Sequence, residues 1–140
     1  MSMMSVEQIE HIVDTQFPQA RALGWVLESA GGGACRLRLP ITDKHLRPGP
    51  SVSGPTLMSL VDTAMYFALL AVIGPTLLAV TTNLNINFMR AVPGGELVVD
   101  AKILKLGKRL VVGEVSVRAN DDPQLVAHAT VTYSIPPARD

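Results

Sequence analysis

The chain has 140 residues, of which 48% are hydrophobic, 17% charged and 4% aromatic; this length suits one domain with a real core and needs no disulfide or metal staple. Twelve Lys plus Arg balance twelve Asp plus Glu, and a zero net charge without a basic run argues against a nucleic-acid surface. The charged fraction is below the roughly 25% usual for soluble domains, so part of the surface is expected to be covered by a second copy of the chain.

The single Cys35 excludes an internal disulfide and a Cys-based zinc cluster, and it fits a cytoplasmic location. His11, His45 and His128 lie far apart without metal-ligand spacing, so no metal is expected. The start, Met1-Ser2-Met3-Met4-Ser5, has no basic run followed by an apolar one, and no secretory signal is expected. One domain over residues 1–140 is expected, with residues 1–22 as an N-terminal helical segment.

In chain order, Ser5 to Gln16 reads as a short amphipathic helix. Ser5 is its N-cap, and Ile9, Ile12 and Val13 form one stripe. Trp25 to Ser29 and Cys35 to Ile41 read as two strands joined by Gly31-Gly32-Gly33. Asp43 to Gly54 is a turn-rich loop with Pro48, Gly49 and Pro50, long enough to be functional. Pro55 then marks the first turn of a helix. That helix is apolar almost all round from Thr56 to Ile73, with Leu57, Leu60, Val61, Ala64, Met65, Ala68, Leu69 and Val72 at helical spacing. Gly74-Pro75 ends it. A membrane span over Leu57 to Val80 is a poor fit, because Asp62, Gly74 and Pro75 interrupt it and the run before Gly74 falls short of about 20 residues. Leu78 to Val92, Glu96 to Leu106, Leu110 to Arg118 and Leu125 to Ser134 read as four strands. Their short turns predict antiparallel neighbours. The sum is an α+β fold, a six-stranded antiparallel sheet wrapped around one buried helix.

Between Arg47 and Arg90 the only formally charged residue is Asp62, and it falls in the helix expected to be most buried. Taking a carboxylate out of water costs several kcal/mol unless it is paired or hydrogen-bonded. Asp62 is therefore either a structural carboxylate bonded to nearby hydroxyls or a general base or nucleophile in a dry pocket. Helical spacing puts it beside Met58, Ser59, Tyr66 and Leu69. In Ser53-Gly54-Pro55-Thr56 the glycine can offer its N–H to a ligand oxygen, or the segment can be a plain helix start capped by Ser53 or Gly54. In Thr81 to Phe88, Leu84, Ile86 and Phe88 share one face, and Thr81, Asn83, Asn85 and Asn87 the other. Asn is depleted in strands, so this polar face points to substrate contact or to a dimer seam. Arg47, Arg90, Lys108 and Arg109 are candidate phosphate contacts or solvated turn charges. His45, His128 and Cys35 read as structural.

These residues resemble those of hotdog-fold acyl-CoA thioesterases of the phenylacetate-pathway (PaaI-like) type, over about Leu23 to Pro137. The most specific stretch is His45-Leu46-Arg47-Pro48-Gly49-Pro50-Ser51-Val52-Ser53-Gly54 followed by Leu60-Val61-Asp62. The family carries His-x-Asn-x-x-Gly, then His-Gly, then Asp or Glu eight residues beyond that Gly, the spacing of Gly54 and Asp62. Thr81 and Asn85-Ile86-Asn87-Phe88-Met89-Arg90 also resemble the segment after the family's central helix. Two positions depart from the pattern: Ser53 replaces the His of His-Gly, and Arg47 replaces the Asn.

The resemblance implies a homodimer or dimer of dimers with sites at the subunit interface. By that match the Gly54 N–H polarises the thioester carbonyl. Asp62 of the facing subunit acts as base or nucleophile, and a hydroxyl at Thr81 or Thr82 positions water, with Thr81 the assigned residue. The CoA phosphates would meet Arg90, Lys108 and Arg109, while Arg47 and Ser53 flank the substrate. The substrate is acyl-CoA, no separate cofactor is needed, and neither nucleic acid nor membrane is an expected partner. The competing expectations are a non-catalytic acyl-CoA-binding protein and a hotdog hydratase or dehydratase.

Overall fold

The computed structural model describes residues 4–137. The Met1-Ser2-Met3 start and residues 138–140 of the expected domain lie outside the described residues.

Helix α1, Val6–Gln16, starts where the sequence puts it. The Ser5 hydroxyl accepts from the Gln8 N–H at 3.3 Å, and the Gln8 side chain accepts from the Ser5 N–H at 2.9 Å. These two bonds satisfy donors that a helix start leaves open. Ile9 and Val13 are buried. A 3₁₀ turn, Pro18–Leu23, follows and ends at Gly24, whose φ of 93° is left-handed. Strands β1 (Val26–Gly31) and β2 (Ala34–Pro40) form the first hairpin. The loop after them contains a small hairpin that sequence patterning did not predict: β3 (Leu46–Arg47) and β4 (Ser51–Val52). Two-residue strands are too short for alternation to reveal.

Helix α2, Gly54–Ile73, is capped by Ser53, which accepts from the Thr56 N–H at 3.3 Å. The remaining strands are β5 (Val80–Phe88), β6 (Glu96–Leu106), β7 (Leu110–Ala119) and β8 (Leu125–Ser134). All six long strands form one antiparallel sheet in the order β1-β2-β6-β7-β8-β5. The α+β layout is thus the one expected, with the sheet wrapped on α2. At 20 residues α2 is long enough to cross a bilayer, contrary to the length argument above, but 56% of its most apolar window is buried inside the protein. It packs tightly on the sheet at Gly113, where an added Cβ would run into the Met65 sulfur and come within 2.9 Å of the Lys102 carbonyl.

One neighbour relation is corrected. β5 and β6 do not pair; β5 sits at the sheet edge beside β8. Residues 89–95 are not a hairpin turn, because the strand stops at Phe88 instead of Val92. At about 3.3 Å per residue they can cross three strand spacings of about 4.8 Å. Hydrogen bonds along the way fix this path: Met89 N–H to Val126 O at 2.8 Å, Val52 N–H to Val92 O at 2.9 Å and Ile41 N–H to Gly95 O at 2.8 Å.

Candidate active site

The sheet covers most of α2 but leaves one flank open. Met58 and Ser59 are exposed there, and Asp62, Thr63 and Tyr66 are half-buried. Asp62 is therefore not sealed in the core, as its place in an apolar helix suggested. It lies on the uncovered flank, and two hydroxyls reach it from the sheet. Thr81 Oγ1 donates to Asp62 Oδ1 at 2.6 Å, and Tyr133 Oη donates to the same oxygen at 2.9 Å. No described residue hydrogen-bonds Oδ2.

Thr81 gets there by a break in alternation. It pairs with Tyr133, and Asn83 pairs with Thr132, so Thr82 is an extra residue, a bulge. Thr81 thereby joins Leu84, Ile86 and Phe88 on the face toward α2, opposite the buried Tyr133, Val131, Ala129 and Ala127. Plain alternation put Thr81 with Asn83, Asn85 and Asn87, and the bulge corrects this. Those three Asn face away from α2, opposite Thr132, Thr130 and His128, so they do not line the Asp62 site. Between Thr81 and Thr82 the choice falls on Thr81, since Thr82 donates to the Thr132 carbonyl instead.

Asp62 opens onto a cavity of about 460 Å³, within the usual range for small-molecule sites. Phe17, Tyr66, Phe67 and Tyr133 line it with Asp62 and Thr81, so four of the six aromatic residues of the chain converge here. The Tyr66 ring stacks on Tyr133 at 5.8 Å and meets Phe17 edge-on at 5.9 Å. Burial raises both tyrosine hydroxyls above their ordinary range, and for Tyr133 the neighbouring Asp62 adds to it. The Tyr66 hydroxyl is buried and has no hydrogen-bond partner among the described residues.

Gly54, the first residue of α2, lines a different cavity of about 450 Å³ with Val52, Leu57, Phe88, Met89 and Arg90. Its N–H bonds no described residue. Eight helical positions separate it from Asp62, about 12 Å along the axis, so one protomer does not bring the two together. Ser53 is occupied as the cap of α2, with its hydroxyl 2.9 Å from that of Thr56. Arg47 is exposed on the β3–β4 hairpin.

The three remaining basic candidates do not form one cluster. Arg90 lies beside Gly54, but its guanidinium is held by Asp122 at 3.0 Å and Gln124 at 2.9 Å. Lys108 and Arg109 are exposed on the β6–β7 turn, at the other end of the sheet, where Leu110 and Val80 both pair with Ser134. His45 is buried and fully used. Its Nδ1 accepts from the Thr42 N–H at 2.9 Å, and its Nε2 lies 2.7 Å from the Leu23 carbonyl. His128 pairs with Glu114 at 3.1 Å. Cys35 is buried, which pushes its thiol up to about 12.

Sequence reasoning missed Tyr133 and Phe17 as site residues. A signal for Tyr133 was present: an inward strand position carrying a hydroxyl needs a polar partner, and Asp62 is the one charge in the apolar segment.

Comparisons with known proteins agree with this fold. A thioesterase superfamily profile matches residues 49–133. A putative esterase of Halobacterium salinarum is 33% identical over 100 residues, 68% of this chain and 66% of that protein, just under two thirds of its length. The crystal structure of a putative thioesterase from a Silicibacter species is 37% identical, covers 96% of both chains and superposes with a TM-score of 0.85. The PaaI protein from the phenylacetic acid degradation operon of E. coli is 25% identical, covers 94% of this chain and 93% of its own, and gives a TM-score of 0.81.

Proposed function

The chain belongs to the thioesterase superfamily, and from that premise we propose that it hydrolyses acyl-CoA thioesters to a free acid and CoA, with Asp62 as general base. The observation that carries this reading is the Asp62 carboxylate at the edge of an aromatic-lined cavity, held on one oxygen by Thr81 and Tyr133. Oδ1 is fixed, and Oδ2 is left to take a proton.

In this mechanism Asp62 removes a proton from water as the water oxygen attacks the thioester carbonyl carbon. The carbonyl π electrons move onto oxygen. The Gly54 N–H, at the positive end of α2, donates to that oxyanion. Collapse reforms the carbonyl and breaks the C–S bond, and the sulfur leaves as thiolate and is protonated. Because Gly54 and Asp62 of one protomer lie about 12 Å apart, we assign the Gly54 donor to a second copy in a homodimer. The unpaired edge of β5 and the exposed Met58, Val80 and Phe88 around it support such an assembly, since edge strands are commonly covered by pairing. Lys108 and Arg109 lie at the Thr81 end of the sheet and suit the CoA phosphates better than Arg90, which is already paired. Arg47 and Ser53 remain flanking residues of the Gly54 side, with Ser53 acting through the cap.

The test is free-thiol release from short, medium, aryl and dicarboxyl CoA esters. Asp62→Asn and Asp62→Ala should each lower turnover by about 10²- to 10⁴-fold while the protein stays folded by circular dichroism. Turnover that survives in both variants would remove Asp62 from the mechanism. Saturable binding of CoA esters without turnover by the wild type would replace the enzyme with a binding protein.

A further inference from the structure

We propose that Phe17 sets the size of the acyl group taken by the Asp62 cavity, which makes the N-terminal segment a specificity element. This rests on reading that cavity as the acyl pocket.

Asp62 and Tyr66 lie one helical turn apart on the same flank of α2, about 6 Å along the axis. An acyl group whose carbonyl carbon sits by Asp62 therefore extends past Tyr66. There Phe17 and Ala20 form part of the wall. Phe17 presents its ring edge-on to Tyr66, with the two planes at 89°. Both wall residues lie outside the residues 49–133 that match the superfamily. The catalytic groups come from the shared part of the chain, and this stretch of wall does not.

The wall is tied down on several sides, so a long acyl group cannot simply push it away. Trp25 Nε1 donates to the Ala20 carbonyl at 3.0 Å, and Arg21 lies over the Trp25 ring at 5.0 Å. Lys44 donates to the Ala22 carbonyl at 2.5 Å, and His45 reaches the Leu23 carbonyl. Arg21 is further paired with Asp14 at 2.9 Å and Glu10 at 3.2 Å. Ile9 and Val13 anchor α1 in the core. This also accounts for His45, a residue of the family-like motif: it braces the wall and takes no part in the chemistry. Phe17 ends α1, its N–H donating to the Val13 carbonyl at 2.9 Å, so its ring position follows from the helix end. A fixed apolar wall discriminates by size at about 10- to 200-fold per methylene that does not fit.

The test is the acyl-length profile of wild type, Phe17→Ala and Phe17→Leu. It is read as kcat/KM over straight-chain acyl-CoA esters and as Kd, by calorimetry, over non-hydrolysable S-alkyl-CoA thioethers of the same lengths. The expected result is a longer preferred chain in Phe17→Ala, with about a tenfold gain on the first length that wild type rejects. Phe17→Leu should be intermediate. Equal losses at every length, or one profile shared by all three proteins, would overturn the proposal. If no ester is hydrolysed but the thioether profile still shifts, the wall stands and the hydrolysis reading fails. Thioethers that bind none of the three proteins would overturn both.

Discussion

At the scale of single residues, Asp62 depends on its two donors. A half-buried carboxylate with both bonds on Oδ1 has its rotamer set from the sheet, and Tyr133 supplies one bond and a contact to the Asp62 carbonyl at 3.3 Å. Tyr133→Phe keeps the ring that stacks on Tyr66 and removes only the hydroxyl. The expected cost is about 1 kcal/mol in denaturant unfolding, with a fall in turnover of about tenfold, since 1.4 kcal/mol of lost positioning is a factor of ten. The same hydroxyl gives a pH signature. Burial holds its proton above the ordinary tyrosine value of 10.0 in the folded protein. Unfolded chains release it near that value, so above about pH 10 the unfolded state binds fewer protons and stability falls with rising pH. Below the ordinary value the contribution is fully present. Unfolding free energies measured from pH 8 upward should decline past about pH 10, and less steeply in Tyr133→Phe. Equal slopes in the two proteins would show that the Tyr133 hydroxyl is not protected as described.

At the scale of elements, the decisive one is β5. Its placement comes from pairing with β8, a strand about fifty positions away in sequence. Local pattern cannot reveal such a partner, and this is why the antiparallel-neighbour rule worked for β1–β2, β6–β7 and β7–β8 but failed for β5–β6. Helix α2 was legible because apolar spacing, Pro55 and Gly74 are all local signals. Asp62 was legible for the same reason, as a lone charge in an apolar run. Its environment was not, since the open flank of α2 depends on how far the sheet wraps. The Thr82 bulge hid the role of Thr81, because a bulge moves one side chain to the other face without changing composition. This makes a sharp test. Deleting Thr82 removes the extra residue and leaves Thr81 opposite Tyr133, so Thr81 should keep its face toward Asp62 while Leu84 to Phe88 stay in register with β8. Turnover should therefore fall further in Thr81→Val, which removes the donor to Asp62, than in the Thr82 deletion, with amide-exchange protection of β8 retained in both. A Thr81→Val variant with wild-type turnover would mean that Thr81 Oγ1 plays no part.

At the scale of the whole molecule, one chain keeps apart, on one helix, the two groups that the proposed mechanism joins. The free Gly54 N–H opens on one cavity and the Asp62 carboxylate on another. Pairing two copies across the exposed β5 edge offers a way to bring the start of α2 in one copy to the Asp62 flank of the other. The idea can be tested by complementation. Gly54→Pro deletes the N–H at a position that accepts it: proline is tolerated in the first helical turn, and Ser53 already has the extended backbone, φ −71° and ψ 151°, that a following proline requires. The Phe88 ring lies 3.7 Å from an added Cβ at Gly54, ordinary contact distance. Gly54→Pro and Asp62→Asn should each be inactive alone. Co-expressed with two different tags and purified as the mixed pair, they would leave one site with both wild-type groups and one with neither. The mixed pair should then recover about half the wild-type turnover, as two-fold symmetry demands of shared sites. A mixed pair that forms but stays inactive would confine each site to one protomer. A Gly54→Pro variant that keeps wild-type turnover by itself would put the Gly54 N–H out of reach of the Asp62 cavity, and the oxyanion would need a donor nearer to Thr81 and Tyr133.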